Sequence, residues 1–350
     1  LSDKNRSFGR RAFLTGLPAV AGAGLLIRLG TGAALGLGAA AARGQPTAVP
    51  SDGTHLVLLG TQGGPNFTVE RSECANAVVV DGRAYLVDCG YGTLAALVRA
   101  GLNYRNVGQI FLTHLHDDHT SDVAALLSHQ WTGGRVDPTV VIGPYGTSRL
   151  VDGALAFFEA NTVIRLADED RSVQPADLFE GRDIEATRNA TEVFADDRVT
   201  VSSVENTHFP ESAKERFPYR AVSYRLDSSD RSITISGDTA YSENLVRLAE
   251  GSDVFVCETM DVATARANFE RRVAAGAYAD NPEGIWQHIV ETHSTTEDAG
   301  RMAAEAKVGT LVLSHIIPGS LMDVPDSVYL EGVRKHFDGE VVVGRDLMVI

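Results

Sequence analysis

The chain has 350 residues, enough for one large domain or two ordinary ones, and its 44% hydrophobic and 22% charged residues are those of an ordinary globular protein. A formal charge of −15 argues against a partner held by neutralising nucleic-acid phosphates, because such proteins concentrate Lys and Arg; a local basic groove stays open on charge alone. The three cysteines, Cys74, Cys89 and Cys257, form no C-x-x-C pair, which excludes a four-thiolate zinc site.

In chain order, residues 1–42 read as an export signal rather than as part of the fold. Polar and basic residues lead to Arg10-Arg11 and Ala12-Phe13-Leu14. A Gly/Ala-rich apolar stretch then runs to the small residues Ala39–Ala42. The arginine pair resembles a twin-arginine signal. An uncleaved anchor is the alternative, since the stretch nearly matches a bilayer. Its weak hydrophobicity favours cleavage, and with it an exported, periplasmic or secreted protein without a stable membrane partner. Lys4, Arg6, Arg10, Arg11 and Arg28 against Asp3 give this segment a net +4, so the remainder carries −15 − 4 = −19. Residues 43–54 read as a polar linker and 55–350 as the folded domain.

Short apolar runs bounded by turn residues follow at His55–Leu59, Asn76–Val80, Ala84–Val87, Gln109–Leu112 and Thr139–Ile142. More come at Val199–Val204, Ala221–Leu226, Ser232–Ser236, Val254–Cys257, Thr310–Leu313 and Glu340–Val343. Asp81-Gly82 predicts a hairpin with Val80 facing Arg83, which sets Cys74 opposite Cys89. A disulfide there is one reading and buried free thiols the favoured one. Three- and four-residue apolar spacing predicts helices at Thr93–Ala100, Asp122–His129 and Thr147–Ala160. Ser294-x-x-Glu297 predicts a capping box opening a helix to Lys307. The acidic stretch Ala167–Asp197 reads as a surface excursion or an arm over a site. Hairpin and crossover spacings are mixed, so a layered α/β protein is expected, not a purely doubly wound sheet.

The chemical signal is concentrated in Thr113-His114-Leu115-His116-Asp117-Asp118-His119-Thr120, directly after an apolar run. Three imidazoles and two carboxylates at a strand end suit zinc or another first-row metal. This H-x-H-x-D-H pattern resembles the signature of the metallo-β-lactamase fold superfamily. His208, Asp238 and His315 follow later strand-like runs in the order of that family's remaining ligands. The resemblance spans about Leu56 to His315 and implies a four-layer αββα sandwich. It also implies two Zn2+, with other divalent metals open. One would lie on His114, His116 and His208, the other on Asp118, His119 and His315, with Asp238 as the bridge and a shared hydroxide as nucleophile. Asp118 would aim that hydroxide, and Asp88 would orient a ligand histidine from beneath.

Two further features resemble the ribonuclease Z and arylsulfatase branch. Glu258 ends a strand and His293-Ser294-Thr295 precedes a helix; in that branch a Glu holds a His that stabilises and protonates the departing group. Cys257-Glu258-Thr259-Met260 departs from the family's usual His-Glu-Ala-Thr but keeps the Glu. The glycine-rich Leu59–Pro65 resembles the same branch. A bridging Asp238 argues against lactam hydrolysis, and His116 argues against the redox-iron members. Ribonuclease Z enzymes carry a basic arm that this chain has little room for between His208 and Asp238. The expectation is therefore a hydrolase of a small phosphodiester or sulfate ester. Its partner is a small-molecule ester, nucleic acid is not expected, and the resemblance allows a homodimer. The alternatives are a lactone or carboxyl-ester hydrolase, a ribonuclease Z-type tRNA 3′-endonuclease, and a metal-binding fold without turnover.

Overall fold

The computed structural model describes residues 49–350, so the expected signal 1–42 and the start of the linker lie outside the described residues. Two sheets face each other. The first contains β1 (Thr54–Gly60), β2 (Ala75–Val80), β3 (Arg83–Val87), β4 (Gln109–Phe111), β5 (Thr139–Pro144) and β6 (Phe179–Ile184), in that spatial order. The second contains β7 (Thr191–Ala195), β8 (Thr200–Glu205), β9 (Val222–Asp227), β10 (Ser232–Ile235), β11 (Val254–Met260), β12 (Thr310–Ile317) and β13 (Glu340–Val343), ordered from β13 to β7.

The hairpin β2–β3 turns at Asp81-Gly82 with Val80 opposite Arg83, as its D-G dipeptide predicts. From β3 to β6 the pairing is parallel, as it is from β10 to β13. Parallel strands place their C-terminal ends along one edge, and loops leaving that edge can converge on a point.

Between the sheets, Leu56, Leu58, Val78, Tyr85 and Phe111 meet Val201, Tyr224, Leu226, Ile233 and Val254 in a dry layer. The outer face of the first sheet packs on the helices Thr93–Arg99, Val123–Thr132 and Thr147–Phe157 through Leu97, Leu126, Trp131 and Val151. The outer face of the second packs on Glu243–Leu248, Thr296–Glu305 and Asp326–Val333 through Leu245, Met302 and Val333. Helix, sheet, sheet, helix is the expected αββα sandwich.

Three local expectations are corrected. Ala167–Asp197 is not a mere excursion: it supplies β6 and β7, the outermost strands of the two sheets. Edge strands bury one side at most, so the apolar alternation that marks an inner strand is missing from them. The predicted helix Thr147–Ala160 breaks at Phe158 and restarts as Glu159–Asp168. The capping box sits one residue later than Ser294-x-x-Glu297. Thr295 caps the helix Thr296–Glu305 and Asp298 reaches back to the Thr295 amide. The Ser294 hydroxyl is committed elsewhere, donating to the Thr239 carbonyl at 2.6 Å. All three cysteines are free and buried.

Candidate metal centre and active site

The strand ends bring the seven expected side chains together. His114, His116, Asp118 and His119 lie on the turn after β4 and its short helix Asp117–Thr120. His208 follows β8, Asp238 follows β10, and His315 lies within β12. His114, Asp118, His119, His208, Asp238 and His315 are all buried, and His116 is half-buried.

Two clusters form. His116 Nδ1 lies 3.0 Å from His114 Nε2 and 3.2 Å from His208 Nε2. Beside them, Asp238 Oδ1 lies 3.1 Å from His119 Nε2 and 3.2 Å from His315 Nε2, and Asp118 Oδ2 lies 3.2 Å from His315 Nε2. Asp238 connects the groups, its Oδ2 lying 3.9 Å from His114 Nε2.

The donor set fits a pair of divalent cations. His119 Nε2 and Asp238 Oδ1 are buried and close, yet neither makes a hydrogen bond. Buried polar atoms that approach this closely without hydrogen-bond geometry are aimed at a common point, as ligand atoms around an ion are. The outer nitrogens of three of the rings are already engaged. His119 Nδ1 meets Asp88 Oδ2 at 2.9 Å, His208 Nδ1 meets the Thr292 carbonyl at 3.2 Å, and His114 Nδ1 meets Thr113 Oγ1 at 3.1 Å. Such contacts fix each ring and its tautomer, leaving the inner nitrogen free to ligate. Asp88 itself is held by the Thr113 amide at 2.8 Å and hydroxyl at 2.9 Å.

The electrostatics divide the same way. Burial, then neighbouring imidazoles, push His114 well below the ordinary histidine range; burial likewise lowers His116 and pushes His208 far down. Burial opposes charge at His119 and His315 too, but Asp238, with Asp118 and Asp88 at one and Asp118 and Glu258 at the other, holds both well above it. Burial works against the ionised carboxyls as well, yet His119 and His315 bring Asp118 down to about 2, and with His114 they hold Asp238 far below the carboxylate range.

The backbone is bent to serve this geometry. Asp88 (φ 63°) and His315 (φ 40°) occupy the left-handed region that non-glycine residues avoid, at a cost of order 1–3 kcal/mol each. Gly237 (φ 59°) turns the chain into Asp238 where a Cβ would meet that of Thr113 at 2.6 Å. Gly64 passes so close to the Asp118 carboxylate that any side chain would collide with it.

Next to the clusters, Glu258 is buried and its Oε2 lies 2.8 Å from His293 Nδ1, while its Oε1 accepts from the Thr239 amide. That leaves His293 Nε2 for the cavity above. Burial lowers the His293 pKa, but Glu258 and Asp238 outweigh it and raise the pKa above the usual value. The cavity, about 340 Å³, has His116, Asp118, Asp238 and His293 on its floor.

Its roof was not legible beforehand. The helices Val262–Ala274 and Pro282–Thr292, inserted between Glu258 and His293, contribute Phe269, Trp286 and His288. Their starts carry signals that could have been read: Asp261 and Asn281 are N-caps, and Pro282 is the first helical residue after one of them. Asn206 was also missed. It is buried and ties the His208 loop to β10 through the Ser236 carbonyl at 3.1 Å.

Comparison with known proteins agrees with this geometry. The sequence profile of the family described as "Beta-lactamase superfamily domain" matches residues 83–316, a span that includes all seven clustered residues. The chain belongs to the metallo-β-lactamase fold superfamily. Within this superfamily it is similar to ribonuclease Z of Mycobacterium sp. (strain KMS), 30% identical over 75% of this chain and 84% of that protein. Ribonuclease Z of Mycobacterium bovis (strain BCG / Pasteur 1173P2) is 28% identical over 83% of this chain and 96% of the relative. The crystal structure of human tRNase Z, short form, superposes with a TM-score of 0.59 at 22% identity, covering 85% of this chain and 98% of that one. At that identity the superposition speaks for the superfamily's fold alone.

Proposed function

We propose that the protein is an exported dinuclear zinc hydrolase of small phosphodiesters or sulfate esters. The observation that carries this reading is the buried Glu258–His293 pair at 2.8 Å, set beside the two ligand clusters at the floor of one cavity.

His114, His116 and His208 would hold one cation, Asp118, His119 and His315 the second, and Asp238 both. When bound, the cations would supply a water acidic enough to attack at neutral pH and positive charge for the oxygens of the transition state. Asp118, ionised because of its histidine neighbours, would accept a hydrogen bond from that water and direct it. Glu258 fixes the His293 ring and keeps it protonated, so Nε2 can donate to the departing oxygen. Phe269 and Trp286 exclude bulk water above the reacting atoms.

The names of the relatives favour a second reading, ribonuclease Z-type cleavage of precursor tRNA. Against it stand the charge of −19 beyond residue 42 and the segment between His208 and Asp238. That segment holds only the four-residue helix Glu211–Lys214 and strands β9 and β10. A polyanion finds little there to neutralise its phosphates.

The test is a substrate panel on zinc-loaded protein: aryl phosphodiesters, aryl sulfates, lactones and precursor tRNA. Phosphodiester or sulfate turnover should dominate, and His293→Ala should lower its kcat by roughly 10²–10⁴ with metal content unchanged. Lactone turnover that survives His293→Ala, or tRNA cleavage faster than either ester, would replace this assignment.

A further inference from the structure

We infer that Arg272 is a specificity residue that binds a second anionic group on the substrate, remote from the ester being cleaved. The inference rests on the ester-hydrolase reading of the same cavity and narrows its substrate class to aryl esters bearing an additional carboxylate, sulfonate or phosphate.

The helix Val262–Ala274 carries three arginines, and two of them are engaged with the protein. Arg266 pairs with Glu270 at 2.7 Å and lies over the Trp286 ring. Arg271 donates to Asn268 Oδ1 at 2.8 Å and to the Leu321 carbonyl at 2.9 Å. Arg272 differs. Among the described residues its side chain makes neither a hydrogen bond nor an ion pair, and its Nε is buried without a partner. It nonetheless lines the cavity whose floor is the metal centre.

Arg272 is half-buried: its Nε is shut off from water without a partner, while its two terminal nitrogens, which make no hydrogen bond to the protein, stay available to an anion. Here the surroundings hold the group ready. Its Cζ lies 5.3 Å from the Tyr278 ring centroid, and Tyr278 stacks on Phe269 with centroids 5.2 Å apart and planes 9° from parallel. Phe269 in turn meets Trp286 at 5.3 Å. The wall is thus a run of flat aromatic faces ending in a planar, five-donor cation. That surface matches an aromatic ring carrying an anionic substituent, with the ring against Phe269 and Trp286 and the substituent in the fork of Arg272. A cavity of about 340 Å³ accommodates a ligand of that size, at the small end of the usual range for binding pockets.

The test compares two diesters on the zinc-loaded protein: phenyl 4-nitrophenyl phosphate and the same diester with a carboxylate on its phenyl ring. The wild type should prefer the carboxylated diester. Arg272→Gln should raise KM for that diester on the order of tenfold to a hundredfold, the scale of a lost charge-assisted hydrogen bond. Its kcat, and both constants for the plain diester, should stay within about twofold. Arg272→Lys, which keeps the charge and loses the fork, should fall between. An equal loss on both substrates, or an unchanged preference, overturns the inference.

Direct binding separates this inference from the functional proposal. Trp286 lines the cavity whereas the other tryptophan, Trp131, is buried under the first sheet, so quenching reports the roof. Naphthoate should quench more tightly than naphthalenemethanol in the wild type, with the difference abolished in Arg272→Gln. If that holds while neither diester turns over, the ester-hydrolase reading fails and the anion subsite stands. If naphthoate binds the variant as tightly as the wild type, the subsite is refuted whatever the turnover.

Discussion

Four imidazoles of the site are distinguished by what lies behind them. His119 is backed by Asp88, His208 by a carbonyl, His114 by a hydroxyl and His293 by Glu258. Glu258 is accordingly a positioning residue. Glu258→Gln removes the charge that, against burial, keeps His293 protonated, so the basic limb of the kcat–pH profile should move to lower pH; an unmoved limb would divorce Glu258 from His293. His119 and His315 are held above the ordinary histidine range by carboxylates, so without metal they carry protons near neutrality. Ligation requires those protons to leave. Zinc affinity should therefore fall as pH drops, with proton release visible by calorimetry in buffers of different ionisation enthalpy. Asp238→Ala should lose bound zinc and activity together, whereas His293→Ala should lose activity alone. The clustered residues were readable because three histidines within six positions have little other use. Arg272 and Trp286 were not, because one arginine or tryptophan in a helix carries no mark of the cavity it faces.

At the level of elements, legibility followed burial. Inner strands such as β2 and β12 announce themselves as apolar runs between turns, and their observed limits differ from the expected ones by no more than a few residues. β6 is largely exposed and pairs with β5 across the intervening helices, which local pattern does not encode; β7 joins its neighbour β8 in a hairpin, but its own residues are too exposed to show an apolar alternation. The displaced capping box shows the same limit on a smaller scale. Ser294 and Thr295 are both competent caps, and the choice was made by Thr239, which takes the Ser294 hydroxyl. Thr295→Ala should cost about 1 kcal/mol of stability through the lost cap, read as a lower midpoint in thermal unfolding. Ser294→Ala should act differently, freeing the tie between the His293 segment and the turn after Asp238. Its effect should appear in kcat, and a purely thermal effect would count against the tie.

For the whole molecule, the αββα architecture followed from the family signature, while the roof over the cavity had to be seen. Among the described residues no helix is long and apolar enough to cross a membrane. The division of the ligands between the two sheets has a mechanical consequence. His114, His116, Asp118 and His119 belong to the first sheet, and His208, Asp238 and His315 to the second, so each of the two proposed cations would pull on both halves of the sandwich at once. Ions seated there would act as rivets through the rim of two plates otherwise joined by greasy contact and scattered polar ties such as Tyr85 to Asp196 and Tyr224 to the Leu112 carbonyl. Chelation should then loosen the plates along their entire rim, with faster amide exchange in β4 and β10, well before the helical outer layers respond.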